Sequence, residues 1–403
     1  PENTLVMVGM LDGTGLEQII TFDHTEHPPT LNGRKTVQDK LNRTTLLVAH
    51  NAAHDLMWLW ESGFTYNGEV FDTMLGEYVL QRGQKEPLSL EACAERHQLH
   101  TKKQDTLKEY FKQGLNVSEI PHDELSEYLS ADLHATQQLF RHQDKEYTFG
   151  KGKTLVDTIR LTNQLAVHLA RIYQRGFKVD LTVLEEVRKE FEQEKQELTV
   201  KLEEQVHELM GDRPINLNSP EQLSWIIYSR KVNDKPTWAE AYDDRVSNTQ
   251  HTDNIRRLTT KLYKQKAERC NECYGSGQIR KTRKDGTPHK NTNKCPTCSS
   301  TGFLYTNKKD FAGLKFIAPD YKWASANGFS TSKGNLIYLE GIARSRGMHD
   351  AEAFLQRVRR LSALDTYLSS FVGGIATHVK PDGMLHVRLL QHRTGTGRLS
   401  GAD

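Results

Sequence analysis

Two Cys-x-x-Cys pairs place the tightest constraint on how part of this chain can fold. Cys270 and Cys273 form the first pair, Cys295 and Cys298 form the second, and 21 residues lie between them. Two cysteines three positions apart in a tight turn can bind one metal ion, and a second such turn completes a tetrahedral site of four sulfurs. The sequence therefore predicts a structural Zn²⁺ site. We expect it to have no catalytic role, because four protein ligands leave no open coordination position.

Composition indicates a soluble chain of two or three domains. Its 403 residues are enough for more than one hydrophobic core. Four of the five cysteines fall in the metal-type pairs, which indicates a reducing compartment rather than disulfides. No apolar run approaches the roughly 20 residues of a membrane span, and no signal peptide is visible. We therefore expect a cytoplasmic protein with no membrane partner.

Positive charge is concentrated around the cysteines. The formal net charge of the whole chain is only +2, which does not indicate nucleic acid. Between Arg256 and Lys309, however, 14 Lys or Arg residues stand against 3 Asp or Glu, and Tyr263, Tyr274 and Tyr305 are interleaved with them. A solvated basic loop would have this composition, and so would a surface that contacts phosphates. The residues alone leave both interpretations open.

The stretch from Leu46 to Leu59 predicts a strand followed by a helix. The apolar run 46–49 is short enough for a buried strand, and apolar residues recur at helical spacing from Leu56 onward. Asp55 would lie in the first turn of this helix, where a carboxylate often serves only as a cap. The same position, at a strand-to-helix turn, also suits a group that binds a cation.

Three neighbouring segments complete the pattern of the first 150 residues. Residues 4–10 and 16–22 predict two strands joined by a turn at Asp12-Gly13. Tyr128 and Asp132 lie four residues apart in a predicted helix, so they project from the same face, one turn apart.

In this order, the segments resemble the second and third motifs of DEDD-type 3′–5′ exonucleases. Asn51 and Asp55 match the Asn and Asp of the second motif, with His54 where the family has an aromatic residue, and Tyr128 and Asp132 match Tyr-x3-Asp. The resemblance implies an α/β ribonuclease H-like exonuclease domain over residues 1–150, with a mixed sheet and helices.

The resemblance also implies a chemistry. In the family, four carboxylates bind two divalent ions, Mg²⁺ or Mn²⁺, roughly 4 Å apart, which activate water and stabilise the leaving 3′-oxygen. By resemblance, Asp55 and Asp132 are metal ligands, the Tyr128 hydroxyl orients the attacking water, and Asn51 lies near the DNA strand.

The other two acids of the family belong to an Asp-x-Glu on the first strand of the sheet, which this sequence lacks. Asp23 and Glu26 are the nearest candidates, but they follow a later strand and have the wrong spacing. We expect the strand that carries the pair to precede Pro1. The exonuclease within this sequence is then expected to lack metal ligands and to be inactive.

The rest of the chain predicts long helices and resembles the thumb of family A DNA polymerases. The segments that carry this resemblance are INLNSPEQLSWIIY, Ile215 to Tyr228, and GFSTSKGNLIYL, Gly328 to Leu339. It implies a mainly α-helical thumb and the start of the palm over residues 151–403. Residues 229–327 would form an insertion that contains the zinc ribbon with its four cysteines.

The segment TGTGRLSGAD near the C-terminus resembles the thumb-to-palm junction of the same family, where an extended strand carries Thr-x-Thr-Gly-Arg-Leu-Ser. Thr394, Thr396 and Arg398 match positions of this motif. By resemblance, they bind DNA, and Arg398 contacts the minor groove near the primer terminus, where every base pair presents acceptors. The palm carboxylates and the nucleotide-binding helix are not in this sequence, so we do not expect nucleotidyl transfer from the chain alone.

We therefore expect a portion of a phage-like family A DNA polymerase with a proofreading exonuclease, acting in replication on a DNA primer-template in the cytoplasm of a bacterial host. In some phage polymerases a thumb insertion recruits a processivity factor, so the basic zinc module has either DNA or a protein as its partner. Two alternatives are a stand-alone DEDD nuclease and a non-catalytic DNA-binding subunit of a split polymerase. The junction segment argues against the nuclease, which has no use for a primer-terminus strand.

Overall fold

The computed structural model describes residues 4–99, 105–242, 247–282 and 288–402. The strands in these residues are β1 (Met7–Leu11), β2 (Glu17–Thr21), β3 (Leu46–Ala49), β4 (Glu69–Asp72), β5 (Phe177–Lys178), β6 (Arg230–Val232), β7 (Thr259–Lys261), β8 (Tyr263–Arg269), β9 (Gln278–Thr282), β10 (Pro288–Lys294), β11 (Phe303–Phe311), β12 (Ala324–Ser325), β13 (Gly328–Phe329), β14 (Met384–Leu385), β15 (Arg388–Leu390) and β16 (Ser400–Ala402). The α-helices are α1 (Gly33–Arg43), α2 (Ala52–Glu61), α3 (Thr73–Leu80), α4 (Leu90–Arg96), α5 (Asp105–Lys112), α6 (His122–Thr148), α7 (Val156–Arg175), α8 (Leu181–Met210), α9 (Pro220–Tyr228), α10 (Lys235–Glu240), α11 (Asn248–Leu258), α12 (Lys333–Ser345), α13 (His349–Thr366) and α14 (Gly373–His378).

The chain forms two compact units of mixed α and β structure. The first contains residues 1–179 and 378–403, and the second contains residues 180–377. This division follows packing and differs from the predicted functional domains, 1–150 and 151–403, which stay a prediction.

The first unit contains short ladders of strands. β1 and β2 form an antiparallel hairpin, and the predicted turn forms at Asp12, whose Oδ1 accepts from the Thr14 and Leu16 amides. β3 and β4 run parallel, with Ala49 opposite Asp72. Within the described residues no hydrogen-bonded ladder joins these two pairs, so the predicted ribonuclease H-like sheet stays a prediction.

Helix α6 packs directly on strand β1. A Cβ at Gly9 of this strand would lie 2.7 Å from Leu129 Cγ and 2.8 Å from Leu133 Cδ1, so only glycine allows this approach. The leucines on one face of α6 thus fix the helix on the hairpin. Tyr128 and Asp132, which lie on the same helix as predicted, are half-buried.

The C-terminal residues return to the first unit. β14 pairs with β5, and β15 pairs with β16, both antiparallel. The Tyr78 hydroxyl, on α3, donates to the Thr394 carbonyl at 2.9 Å. This return places the end of the chain beside the helices that follow β3 and β4.

The second unit is built on α8, α12 and α13. Asp180 caps α8 as expected for an N-cap, because its carboxylate accepts from the Thr182 and Val183 amides. Fully buried residues of these three helices, Leu202, Leu339 and Phe354, form one core. Beyond α13 the helix continues as a π-helical turn, Tyr367–Val372.

The predicted insertion, 229–327, divides into two parts. Its ends pack into the core of the second unit, where Trp238 and Ala312 are fully buried. The described residues between 263 and 311 form a ribbon, made of the β8–β11 ladder and the β9–β10 ladder. The ribbon is therefore shorter than the insertion.

In the part of the chain that the structure describes, no helix is both long enough and apolar enough to cross a membrane.

Candidate metal centre and candidate nuclease site

The four predicted zinc ligands lie together inside the ribbon. Their side chains are buried, and their sulfur atoms all lie within 4.8 Å of one another. The Sγ atoms of Cys270 and Cys295 are 3.9 Å apart, and those of Cys273 and Cys298 are 3.5 Å apart. Zinc–sulfur bonds of about 2.3 Å in a tetrahedron require sulfurs roughly 3.8 Å apart. The cluster therefore fits one zinc ion.

The two cysteine turns have matching hydrogen bonds. Within each turn a glycine amide donates to the second cysteine at 3.3 Å, Gly277 to Cys273 and Gly302 to Cys298. The carbonyl of each glycine accepts from the first cysteine amide of the opposite turn, at 2.9 Å in both cases. Each turn is thus locked to the other, and the amides are aimed at the sulfurs, where they stabilise thiolates.

The cysteines differ in acidity. Burial raises the pKa of Cys295 to about 12. Burial acts in the same direction on Cys273, but hydrogen bonds from the Gly277 amide and from neighbouring thiols outweigh it and lower the pKa of Cys273 to about 7. Metal ligation requires thiolates, so binding of a divalent ion would release protons.

The outer surface of the ribbon is basic and partly aromatic. The Tyr263 and Phe311 rings stack at 4.9 Å, Lys261 Nζ lies 5.0 Å from the Phe311 ring centre, and Tyr274 is 76% exposed. Residues 281, 283, 284 and 290 of the predicted basic run lie outside the described side chains. The described basic residues that are exposed on the ribbon are Lys266, Arg269, Arg280, Lys294, Lys308 and Lys309.

The Asn51–Asp55 turn lies where parallel strands end. Asn51 is the N-cap of α2, with φ +65°, and Asp55 is in the first turn of that helix. The Asp55 residue is exposed. A group at this position can reach a ligand from solvent.

Asp72 joins the two helices that follow β3 and β4. Its carboxylate accepts from the amides of Asn51 at 3.0 Å, Ala52 at 2.9 Å, Met74 at 2.9 Å and Leu75 at 3.3 Å. The N-termini of α2 and α3 therefore converge on one buried acid. The bonds to α2 come from residues about 20 positions away, so no local sequence pattern indicates them.

Asp55 and Asp72 are coupled. Burial, followed by the charge of Asp72, raises the pKa of Asp55 to about 7. Burial raises the pKa of Asp72 to about 6, against four amide hydrogen bonds that lower it. Neighbouring protein atoms displace part of the water around the Asp55 carboxyl, which raises its pKa, although the residue as a whole keeps an exposed surface. A divalent cation bound here would favour the ionised form of both acids.

Tyr128 and Asp132 interact directly on α6. Burial, the charge of Asp132 and a hydrogen bond to it raise the pKa of Tyr128 to about 12, with a smaller contribution from Glu91. The phenol is therefore neutral at physiological pH and keeps its O–H. Glu91, in the first turn of α4, was not among the predicted site residues.

His50, which follows β3, contacts the segment before α4 and the first residue of α3. The Leu88 carbonyl, just before α4, lies 2.9 Å from His50 Nε2, and His50 Nδ1 lies 2.9 Å from the Thr73 hydroxyl.

Among the described residues, the four cysteines are the only group of three or more potential ligands within 4.8 Å of one another. Asp55 and Asp132 therefore stay predicted metal ligands.

Asp23 and Glu26, the nearest candidates for the missing Asp-x-Glu pair, form hydrogen bonds with other residues. Asp23 accepts a hydrogen bond from the Thr4 hydroxyl, and Glu26 accepts from the His122 amide at the start of α6. Glu26 therefore lies at the N-terminal end of α6.

The junction segment forms a turn and not the predicted extended strand. The Thr394 hydroxyl donates to the Arg398 carbonyl at 2.6 Å, and Gly397 has φ +72°, a conformation that glycine adopts without strain. β16 begins only at Ser400. The side chains of Thr396 and Arg398 are exposed on this turn, open to a ligand.

Comparison with known proteins connects the chain to bacterial DNA polymerase I. No protein-family model matches it. It is 28% identical over 171 residues to DNA polymerase I of Bacillus subtilis, 31% over 139 residues to that of Helicobacter pylori, and 27% over 184 residues to that of Synechocystis. These matches cover 42%, 31% and 45% of this chain but only 18%, 14% and 18% of the relatives.

The fold is similar to a solved polymerase domain. The POL domain of Pol1 from M. smegmatis, in complex with DNA primer-template and dNTP, matches with a TM-score of 0.53 and 17% identity over 98% of this chain and 50% of that chain. The chain thus spans half of that domain and less than a fifth of the curated relatives. It has the fold of part of a polymerase domain and is distantly related in sequence to DNA polymerase I.

Proposed function

We propose that the chain is part of a family A DNA polymerase that binds primer-template DNA. The observation that carries the proposal is the sequence similarity to three DNA polymerase I proteins, together with a fold match along nearly the whole chain. The matched domain was solved with DNA primer-template and dNTP, which is the ligand class we assign to this chain.

Arg398 is the residue we assign to the primer terminus. It is exposed on a turn that the Thr394 hydroxyl holds, so the guanidinium is presented by a fixed backbone. Arg398→Ala should weaken primer-template binding about tenfold, as expected for loss of one arginine contact in a groove. Arg43→Ala, at the exposed end of α1, is the charge-matched control and should bind like the wild type. Fluorescence anisotropy with a labelled primer-template measures both, and equal affinities for all three proteins would contradict the assignment.

We further propose a 3′–5′ exonuclease site at Asp55, Tyr128 and Asp132, with Asn51 beside the DNA strand. Asp55 and Asp132 would ligate Mg²⁺ or Mn²⁺, which supplies water activation and charge stabilisation. Tyr128, kept protonated by its surroundings, would donate to or orient the attacking water. Further carboxylates are required for a complete metal set.

An activity assay tests the exonuclease proposal. In a form of the protein that both trims DNA 3′ ends and extends primers, Asp132→Ala should abolish trimming while primer extension continues. Loss of both activities would identify Asp132 as a structural acid. Asp144→Ala, on the same helix, is the control and should leave trimming intact.

We propose that the ribbon binds a structural Zn²⁺ and contacts DNA phosphates. Support comes from the fit of the four sulfurs to one zinc ion and from the exposed basic residues around them. β8 and β11 pair at Tyr263 and Phe311, so residues 264–310 can be replaced by a short turn. This deletion should make the salt dependence of DNA affinity less steep. An unchanged slope would favour a protein partner, such as a processivity factor.

A further inference from the structure

A small pocket lies against the Asn51 turn in the first unit. It is lined by Asn51 and Asp72, by Leu169 and Tyr173 of α7, and by residues 388–392. Its volume is about 50 Å³. That volume is enough for a few water molecules or one small group.

The charged side chains that line this pocket are Arg388 and Asp72. Arg388 and His392 line it, and the positive charge of Arg388 also reaches His54. Burial and the charges of Arg393 and Arg388 lower the pKa of His392, so a neutral imidazole lies beside the guanidinium.

Arg388 has no anionic partner in the described part of the chain. Asp72 is the one acid among the residues that line the pocket, and its oxygens accept from four backbone amides. No ion pair or hydrogen bond joins the Arg388 guanidinium to Asp72 or to any other described residue. A half-buried guanidinium with unused donors at a small pocket is suited to a tetrahedral oxyanion, which it can bind through two parallel N–H groups.

We propose that Arg388, with His392 beside it, forms a subsite for one backbone phosphate of a single DNA strand that enters the Asn51–Asp55 turn. The assignment rests on the proposed exonuclease function, which supplies the strand. Asn51 lines the same pocket as Arg388, and it is also the residue proposed to lie beside the DNA strand at the exonuclease site. Arg388 is thereby a positioning residue, because it holds the strand and does not contact the scissile bond.

Binding of a fluorescent oligothymidylate to the chain, without divalent ions and across a range of salt concentrations, tests the subsite. Arg388→Ala should weaken binding about tenfold at low salt and reduce the slope of log affinity against log salt by about 0.7, the value for one single-strand phosphate contact. Arg388→Lys should keep most of the slope, and Arg43→Ala should match the wild type in both measurements. Arg388→Gln keeps the side-chain length and provides a second neutral variant, and circular dichroism checks the folding of each protein.

Different outcomes separate this proposal from the one it rests on. Salt-dependent binding by the wild type with an unchanged slope in both neutral variants overturns the subsite and leaves the proposed function intact. Absence of salt-dependent strand binding by the wild type overturns both. Thymidine 5′-monophosphate serves as competitor. The nucleotide is added at a concentration equal to that of the phosphates in the oligothymidylate. If the nucleotide then abolishes the part of the oligothymidylate affinity that depends on Arg388, the subsite binds a nucleotide and the assignment to a DNA strand is wrong.

Discussion

Loss of the zinc ligands should unfold the ribbon and leave the helical core of the second unit folded. Among the described side chains of the ribbon, the buried cluster consists of the four cysteines, and the partly buried Ile279 is the one apolar residue packed against it. One such side chain contributes about 2 kcal/mol at most, far less than the cost of ordering roughly 50 residues. Structural zinc in small modules contributes about 10–16 kcal/mol, so the metal should supply most of the stability of the ribbon.

The core of the second unit is independent of the cysteines. Its buried residues come from α8, α9, α12, α13 and the flanks of the insertion. Cys298→Ser, or removal of metal with a chelator, should therefore leave the main thermal transition nearly unchanged. The change should be confined to residues 263–311.

Metal analysis and amide hydrogen exchange measure these effects. The wild type should contain one zinc per chain, and Cys298→Ser should contain much less. Amides that bridge the two cysteine turns, those of Cys270 and Cys295, should lose nearly all protection without metal. Cys93→Ala is the matched control, because Cys93 is buried outside the ribbon. It should reduce stability by about 1 kcal/mol and keep the full zinc content.

Two results would refute this reasoning. One is a metal-free protein whose ribbon amides are as protected as those of the zinc-bound protein. The other is a full zinc content in Cys298→Ser, which would show that the ion binds elsewhere.

Three further predictions concern stability. Asp72→Ala should destabilise the protein by about 3 kcal/mol, since four amides that are buried or partly buried lose their acceptor, whereas Asp180→Ala, an exposed cap, should cost about 1 kcal/mol; urea unfolding compares them. Gly277→Ala should lower zinc affinity, measured by metal competition, because Gly277 has φ +70° and an added Cβ would lie 2.3 Å from the Ser300 carbonyl oxygen of the opposite turn. Gly341→Ala is the control, because open space surrounds Gly341, and it should stabilise α12 by about 0.5–1 kcal/mol in thermal melting. The pKa of Asp55 is raised from 3.8 to about 7. Between these two pH values the folded protein therefore binds more protons than the unfolded chain, so the free energy of unfolding falls as the pH rises from 3.8 to about 7. Asp55→Asn should therefore gain about 1 kcal/mol at pH 8, a figure discounted for the exposure of the residue, and gain nothing near pH 4, as measured by thermal unfolding at several pH values.

Structural features that depend on neighbouring residues were predicted well from the sequence. β3 has the predicted bounds, Leu46 to Ala49, and the cysteines that were expected to share a metal lie together. Tyr128 and Asp132 occupy one helix at the predicted spacing. Each of these depends on residues close in sequence, where strand and helix periodicity or a tight turn determines the geometry.

Features that depend on distant segments were not predicted. The limits of the ribbon are set by Trp238 and Ala312, which pack into the helical core although they lie within the insertion. The turn at Thr394 forms beside Tyr78, more than 300 residues earlier, so an extended strand was the wrong expectation there. Arg388 gained its place at the pocket only through the return of the C-terminal residues to the first unit.

Asp72 explains why an external anion would be bound by Arg388 rather than by the helix ends. The N-termini of α2 and α3 carry partial positive charge and unpaired amides, a common site for phosphate. Here the Asp72 carboxylate already accepts from two amides of each N-terminus. Its negative charge also repels an anion and raises the pKa of Asp55, a combination that favours a cation at the turn. A strand phosphate must then find its positive charge on another residue of the pocket, and Arg388 is the cationic residue that lines it.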